Sequence, residues 1–185
     1  MIPYVLVAAA IGLPIVYVIT TFNRLVNLKN LIQNSWHNVE TELKRRYDLI
    51  PNLVNTVKGY ARHEREVLER VIAARAGALE STGSPRHQAR DENALVRALR
   101  DLLVVVERYP QLKAEQGFLT LQDELIDTEN RIQAARRFYN GNVKDLNNLV
   151  AQFPSNLIAR LFGFQPAEFF EIDHAIERHP VAVKF

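Results

Sequence analysis

The 185-residue chain contains no cysteine. That absence excludes a disulfide framework, a thiol nucleophile and any Cys-based zinc site. Glycine and proline are sparse, at seven and eight residues, so the turn clusters that bound a series of short strands are missing. Neither sign of charge dominates: 23 Lys+Arg stand against 21 Asp+Glu, with both signs interspersed. A dedicated nucleic-acid binder would carry a basic stripe, and this chain has none. With 48% apolar and 24% charged residues, the composition is that of a folded chain rather than a disordered one.

The most informative absence is local. No charged side chain occurs before Arg24, and residues Tyr4–Phe22 read YVLVAAAIGLPIVYVITTF. As a helix rising ~1.5 Å per residue, 19 residues cover about 28 Å, close to the hydrocarbon thickness of a bilayer. A cleavable signal peptide wants Lys or Arg ahead of a shorter apolar run, and Ile2-Pro3-Tyr4 supplies neither. The expectation is a retained transmembrane helix, with residues 1–22 as the anchor. Arg24 and Lys29 follow the span and no charged side chain precedes it. The positive-inside rule therefore points to an amino terminus outside and a carboxyl-terminal domain in the cytoplasm. Ala8 and Gly12 form a small-xxx-small pair, which makes a second copy of the chain one candidate partner besides the lipid bilayer.

Beyond the span, apolar residues advance in steps of three and four. Leu25, Leu28, Ile32, Trp36, Val39, Leu43, Tyr47, Ile50, Val54 and Val57 form one helical stripe. Pro51 interrupts it and predicts a kink or brief break there. The pattern resumes through Leu68, Val71 and Ile72 to Leu79, then meets a loop at Ser81–Pro85. A further helix is expected to start at Asp91 and to run through Leu95, Leu99, Leu102 and Val106, closed by Tyr109-Pro110. The clearest stripe runs Phe118, Leu121, Leu125, Thr128, Ile132, Ala135, Tyr139, Val143, Leu146, Val150 and Phe153, a period of about 3.5. Such stripes are buried together by long antiparallel helices joined by short loops. The predicted architecture is all-α: the anchor, a helical bundle over residues 23–152, and a Phe-rich segment over 153–185 that packs on it.

Several stretches resemble the LemA family. They are Ser35-Trp36, the run from Leu43 through Arg46-Tyr47-Asp48 to Val54, Val57–Ala61, Tyr109–Lys113, Thr128–Ile132, Phe138–Asn140 and Phe153–Ala159 followed by Leu161–Phe164. The resemblance covers about residues 23–185, with departures at Val39–Glu42 and Gly141-Asn142. It implies a membrane-tethered helical bundle without an established enzymatic activity. Some relatives are associated with bacterial membrane organelles, so it also implies a bacterial cell membrane as the setting.

The residues themselves offer little chemistry. His63-Glu64 lacks the second histidine of a zinc-protease helix, since Val67 stands in its place. No phosphate-cradling glycine loop or nucleophile elbow occurs. Glu124 and Asp127 suggest a di-metal bundle site only if two Glu-x-x-His copies accompany them, and the pair is not there. No catalytic residue, metal ligand or cofactor site is therefore assigned. Two polar groupings remain, Arg46 with Asp48, and Glu129 with Arg136 and Asn140. They read as interhelical pairs that set register, with Arg46 opposite Glu129 as the specific expectation, or as a surface for partners or lipid headgroups. Asn140-Gly141 is a candidate hinge or close-packing point within the last long helix.

Near the carboxyl terminus, Phe162, Phe164, Phe169 and Phe170 form a candidate docking patch beside a short helix expected over Asn156–Phe162. They either close one end of the core or meet a membrane protein or the inner leaflet. Acidic Glu168, Glu171 and Asp173 weigh against the leaflet. The functional expectation is a membrane-anchored scaffold or adaptor for other membrane proteins of the bacterial envelope. The alternative is a lipid-binding or membrane-shaping protein that uses a bundle face or the Phe-rich segment.

Overall fold

The computed structural model describes residues 2–173, so His174, His179 and the rest of the Phe-rich segment lie outside the described residues. Six helices follow in order: α1 (Ile2–Tyr60), α2 (Arg65–Glu80), α3 (Pro85–Val106), α4 (Pro110–Lys113), α5 (Gln116–Ala151) and α6 (Ser155–Leu161). No strand occurs among the described residues. The chain forms two compact units, each discontinuous in sequence. Among the described residues, one comprises 2–37 with 138–169, and the other comprises 38–137 with 170–173.

In the first unit, the amino-terminal part of α1 runs beside the carboxyl-terminal part of α5. Leu25 and Leu28 share a buried cluster with Leu146, while Trp36 meets Tyr139 with ring centroids 5.2 Å apart. Rising numbers on α1 meet falling numbers on α5, so the two are antiparallel. Ile158 and Ala159 of α6 close the cluster, and Val18, Phe22, Phe164 and Ala167 pack on its margin. Each Leu or Ile sealed there contributes about 1.5–3 kcal/mol of burial. Gly163, at φ 72°, ends α6 in the left-handed conformation that a side chain rarely adopts. The hydroxyl of Ser155 donates to the Leu149 carbonyl at 2.7 Å and so ties α6 back to the end of α5.

Toward its amino terminus α1 is apolar all round. Ile11, Leu13, Ile15, Val16, Tyr17 and Ile19 are exposed, with no polar face opposite them. A globular surface helix carries one apolar stripe, whereas a helix apolar on every side needs an apolar solvent. Among the described residues, α1 is the one helix long and apolar enough to cross a membrane. The side chain of Ala8 is outside the described residues, so the Ala8/Gly12 pair has no structural account.

The second unit contains α1 beyond residue 37, α2, α3, the short α4 and the first part of α5. Arg70 pairs with Asp101 and Gln88 reaches the Ala78 carbonyl, so α2 and α3 are antiparallel. The core is built from Leu43, Ile50, Val57, Val71, Leu95, Leu99, Leu102, Phe118, Leu125 and Ile132, the residues of the periodic stripes. Glu115 starts α5 by accepting from the backbone N–H of Gly117 at 2.9 Å and Phe118 at 2.6 Å, which satisfies two of the free donors of a helix start.

Two boundaries differ from the sequence expectation. Pro51 does not break α1, which continues to Tyr60, and the chain turns instead at residues 61–64. A proline inside a helix removes the hydrogen bond to the carbonyl four residues back, at a cost of about 3 kcal/mol or more. Here that carbonyl belongs to Tyr47, and Arg75 of α2 donates its Nε to it at 2.7 Å. A tertiary donor thus stands in for the missing amide. The second difference concerns α3, which begins at Pro85 with Ser84 as its N-cap rather than at Asp91. Proline at the first helical position forgoes an amide that has no helical partner anyway, so Ser84-Pro85 opens the helix.

Gly141 lies within the unbroken α5, and a Cβ built there would meet nothing within 4 Å. It is therefore not a close-packing point.

Candidate functional site

The polar centre of the second unit grows from Arg46, whose side chain is only 1% exposed. Its Nη1 donates to Oε2 of Glu129 on α5 at 3.0 Å, and its Nη2 donates to Oε2 of Glu92 on α3. Glu92 is fully buried and also accepts from the Tyr47 hydroxyl and, at 2.9 Å, from Gln88 Nε2. The second oxygen of Glu129 accepts from Gln133 Nε2 at 2.8 Å. Gln88 further donates to the Ala78 carbonyl at 3.0 Å, which brings in α2. One network therefore joins α1, α2, α3 and α5.

One guanidinium bridges two carboxylates, and Tyr47, Gln88 and Gln133 add neutral donors to the same carboxylates. The Tyr47 hydroxyl is driven well above the usual phenol range, first by burial and then by the charge of Glu92 beside it. It stays a proton donor and cannot act as a base near neutrality. Breaking a buried pair of this kind leaves an uncompensated charge, whereas the intact pair returns little net stability. Such a network sets which residues must face each other. No group of three or more His, Asp or Glu side chains arranged for a metal ion occurs among the described residues.

The remaining candidates separate. Asp48 is exposed on α1 and takes no part in the network. Arg136 is half-buried and donates to the Ile172 carbonyl of the carboxyl-terminal segment. Asn140 falls in the first unit, where its neighbour Asn142 donates to Ser35 at 3.3 Å. Tyr139 there donates to the Glu168 carbonyl at 2.8 Å, and burial, with Glu168 adding to it, pushes its hydroxyl up to about 12. Trp36 is half-buried against Tyr139 rather than sealed in a core.

The four phenylalanines do not form one patch. Phe170 is fully buried in the second unit, so it is core and not a docking residue. Phe162 and Phe164 belong to the first unit and pack around Phe22, with ring centroids 4.7 and 5.9 Å from it. Phe169 is partly exposed at the end of that unit. The segment passes from the first unit to the second after Phe169, and the two bonds between Ala167 and Asn147 hold it against α5 in the first.

Sequence reasoning missed Glu92, Gln88 and Gln133. A signal for Glu92 existed: it falls in step with Leu95, Leu99 and Leu102, so it is a carboxylate on an apolar stripe. Placing the start of α3 at Asp91 hid that register.

The LemA family model matches residues 35–185, which takes in both carboxylates, Arg46 and the whole carboxyl-terminal segment. The chain belongs to the LemA family. Among curated relatives of this LemA-family protein, magnetosome protein MamQ 2 of Paramagnetospirillum magneticum is 24% identical over 81% of the chain and 64% of its own length. MamQ of Magnetospirillum gryphiswaldense is 24% identical, covering 91% of the chain and 72% of the relative. Protein LemA of Metamycoplasma hominis is 26% identical, covering 84% and 71%. The LemA-family chain thus spans somewhat under two thirds of the first of these relatives. With its apolar α1, it is a membrane-associated LemA-like protein.

Proposed function

We propose that this chain is a single-pass membrane protein whose helical bundle serves as a scaffold or adaptor for other envelope proteins, without catalysis. The observation that carries the reading is the use made of the buried charges. Arg46, Glu92 and Glu129 are the groups best suited to chemistry, and they are spent on one another in the interior. They set helix register and offer no open face to a substrate. A bundle so specified is a surface for partners, and its anchor is built into the same helix, α1. The relatives named as magnetosome proteins agree with a role at a bacterial membrane.

In this reading the amino terminus is outside and the bundle is cytoplasmic, because Arg24 and Lys29 follow the span. A reporter that fluoresces only in the cytoplasm, fused after Phe185, should be bright. A dark fusion at normal abundance would overturn the orientation. Crosslinking in native membranes followed by mass spectrometry should recover a small, reproducible set of membrane proteins. Recovery of lipid adducts and no protein beyond background would refute the adaptor role.

A further inference from the structure

Helix α6 has two apolar faces and only one is used. Ser155, Ile158 and Ala159 are buried against the cluster of Leu25, Leu28 and Leu146. On the other side Leu157 is 56% and Leu161 77% exposed, one helical turn apart, and they are flanked by Phe153 at 79% and Phe162 at 48%. Four large apolar side chains within ten residues, left outward, need a covering.

Their position says what covers them. Phe162 and Phe164 pack on Phe22, and Val18 joins the same cluster. Phe22 is the last residue of the 19-residue apolar run. The exposed face of α6 therefore starts where the exposed side chains of that run, Val16 and Ile19, leave off. With the run in the hydrocarbon core, α6 lies at the boundary between acyl chains and headgroups. Charge agrees: from Leu146 to Ala167 there is no Asp or Glu, and the single charged residue, Arg160, is exposed on α6. Arg24, two residues past the run, is exposed as well. Glu168, the nearest acid in this segment, is half-buried.

We propose that α6, with Phe153 and Phe162, is an interfacial foot. Its outer face inserts into the leaflet that adjoins residue 22, and Arg160 and Arg24 meet anionic phosphates. This is the arrangement of a short amphipathic element lying in the membrane plane, held there by buried apolar area and by cationic attraction to anionic lipid. The inference rests on the membrane anchor of the preceding reading and not on its adaptor role.

The absence of cysteine makes the test direct. Single cysteines placed at Leu157, Leu161, Ile11 and Glu66 in the full chain are spin-labelled and reconstituted in phosphatidylethanolamine–phosphatidylglycerol vesicles. Collision with oxygen is compared with collision with a water-soluble nickel chelate, and far-UV dichroism checks that each variant keeps its helix content. The oxygen-to-nickel ratio at Leu157→Cys and Leu161→Cys should exceed that at Glu66→Cys several-fold and fall below that at Ile11→Cys. A ratio equal to that at Glu66→Cys would place the face in water and overturn the foot. Low accessibility to both reagents with spin–spin broadening would show a second copy covering it, which also overturns the proposal. A low ratio at Ile11→Cys would remove the anchor itself, whereas a high one there with a low one at Leu161→Cys removes only the foot.

Discussion

Replacing Arg46 by methionine keeps much of the side-chain volume and removes the cation that bridges the two buried carboxylates. Glu92 and Glu129 then lose the guanidinium they share, while Tyr47, Gln88 and Gln133 remain as neutral donors. Loss of one partner from a buried pair costs about 3–5 kcal/mol. At roughly 2–4 °C per kcal/mol for a chain of this size, the midpoint should fall by about 6–20 °C. Glu129→Gln should be milder, since Arg46 keeps Glu92 and the charge-assisted bond between Arg46 and Glu129 is worth about 1.5–3 kcal/mol. The triple variant Arg46→Met, Glu92→Gln, Glu129→Gln has no buried charge left and should recover part of the loss of Arg46→Met, with coupling well above the ~0.5 kcal/mol scatter of independent sites. Far-UV dichroism of the full chain in detergent, followed through heating or urea, measures all of these. Equal losses for Arg46→Met and Glu129→Gln would refute the bridging role of Arg46, and additivity in the triple variant would refute the network. A simple exchange of Arg46 and Glu129 would not be a clean test, because it sets a carboxylate at position 46 against Glu92.

Other consequences follow from single contacts. Arg75→Ala leaves the Tyr47 carbonyl without a donor and should cost about 1–3 kcal/mol. Pro51→Ala restores an amide to that carbonyl, so the double variant should melt close to the wild type, and a loss as large as that of Arg75→Ala would refute the substitution of one donor for the other. Tyr47 and Tyr139 are both raised above the unfolded value near 10, so the fold holds their protonated forms. That contribution to stability is complete below about pH 10 and is lost as pH rises toward 12 for Tyr139, and beyond that for Tyr47. Ultraviolet titration should show a late phase that shrinks by two tyrosines in the double variant Tyr47→Phe, Tyr139→Phe. Gly141→Ala should raise stability by up to about 1 kcal/mol, since the helix is continuous and the new methyl meets nothing. Trp36→Ala should cost less than the ~3–5 kcal/mol of a sealed tryptophan, because the residue is only half-buried.

Periodicity and one charge-free stretch were enough to read the all-α class, the apolar anchor and most of the core. They report local facts, namely which residues share a face and where a helix meets no polar group. Leu43, Ile50, Val57, Leu125 and Ile132 are buried because their stripe leaves them no alternative. The motif runs around Trp36, Arg46-Tyr47 and Phe153–Phe164 carried the family. Tertiary structure decided what those faces meet. Pro51 reads as a break until a donor from a helix 24 residues further on fills its gap, and no local pattern contains Arg75. Glu92 joins Arg46 only because α3 and α1 lie together, and Phe170 parts from Phe162 because the chain leaves one unit for the other after Phe169. A charge network and a discontinuous unit are properties of pairs of distant residues. Sequence constrains each member of such a pair, and only the packed chain chooses the other.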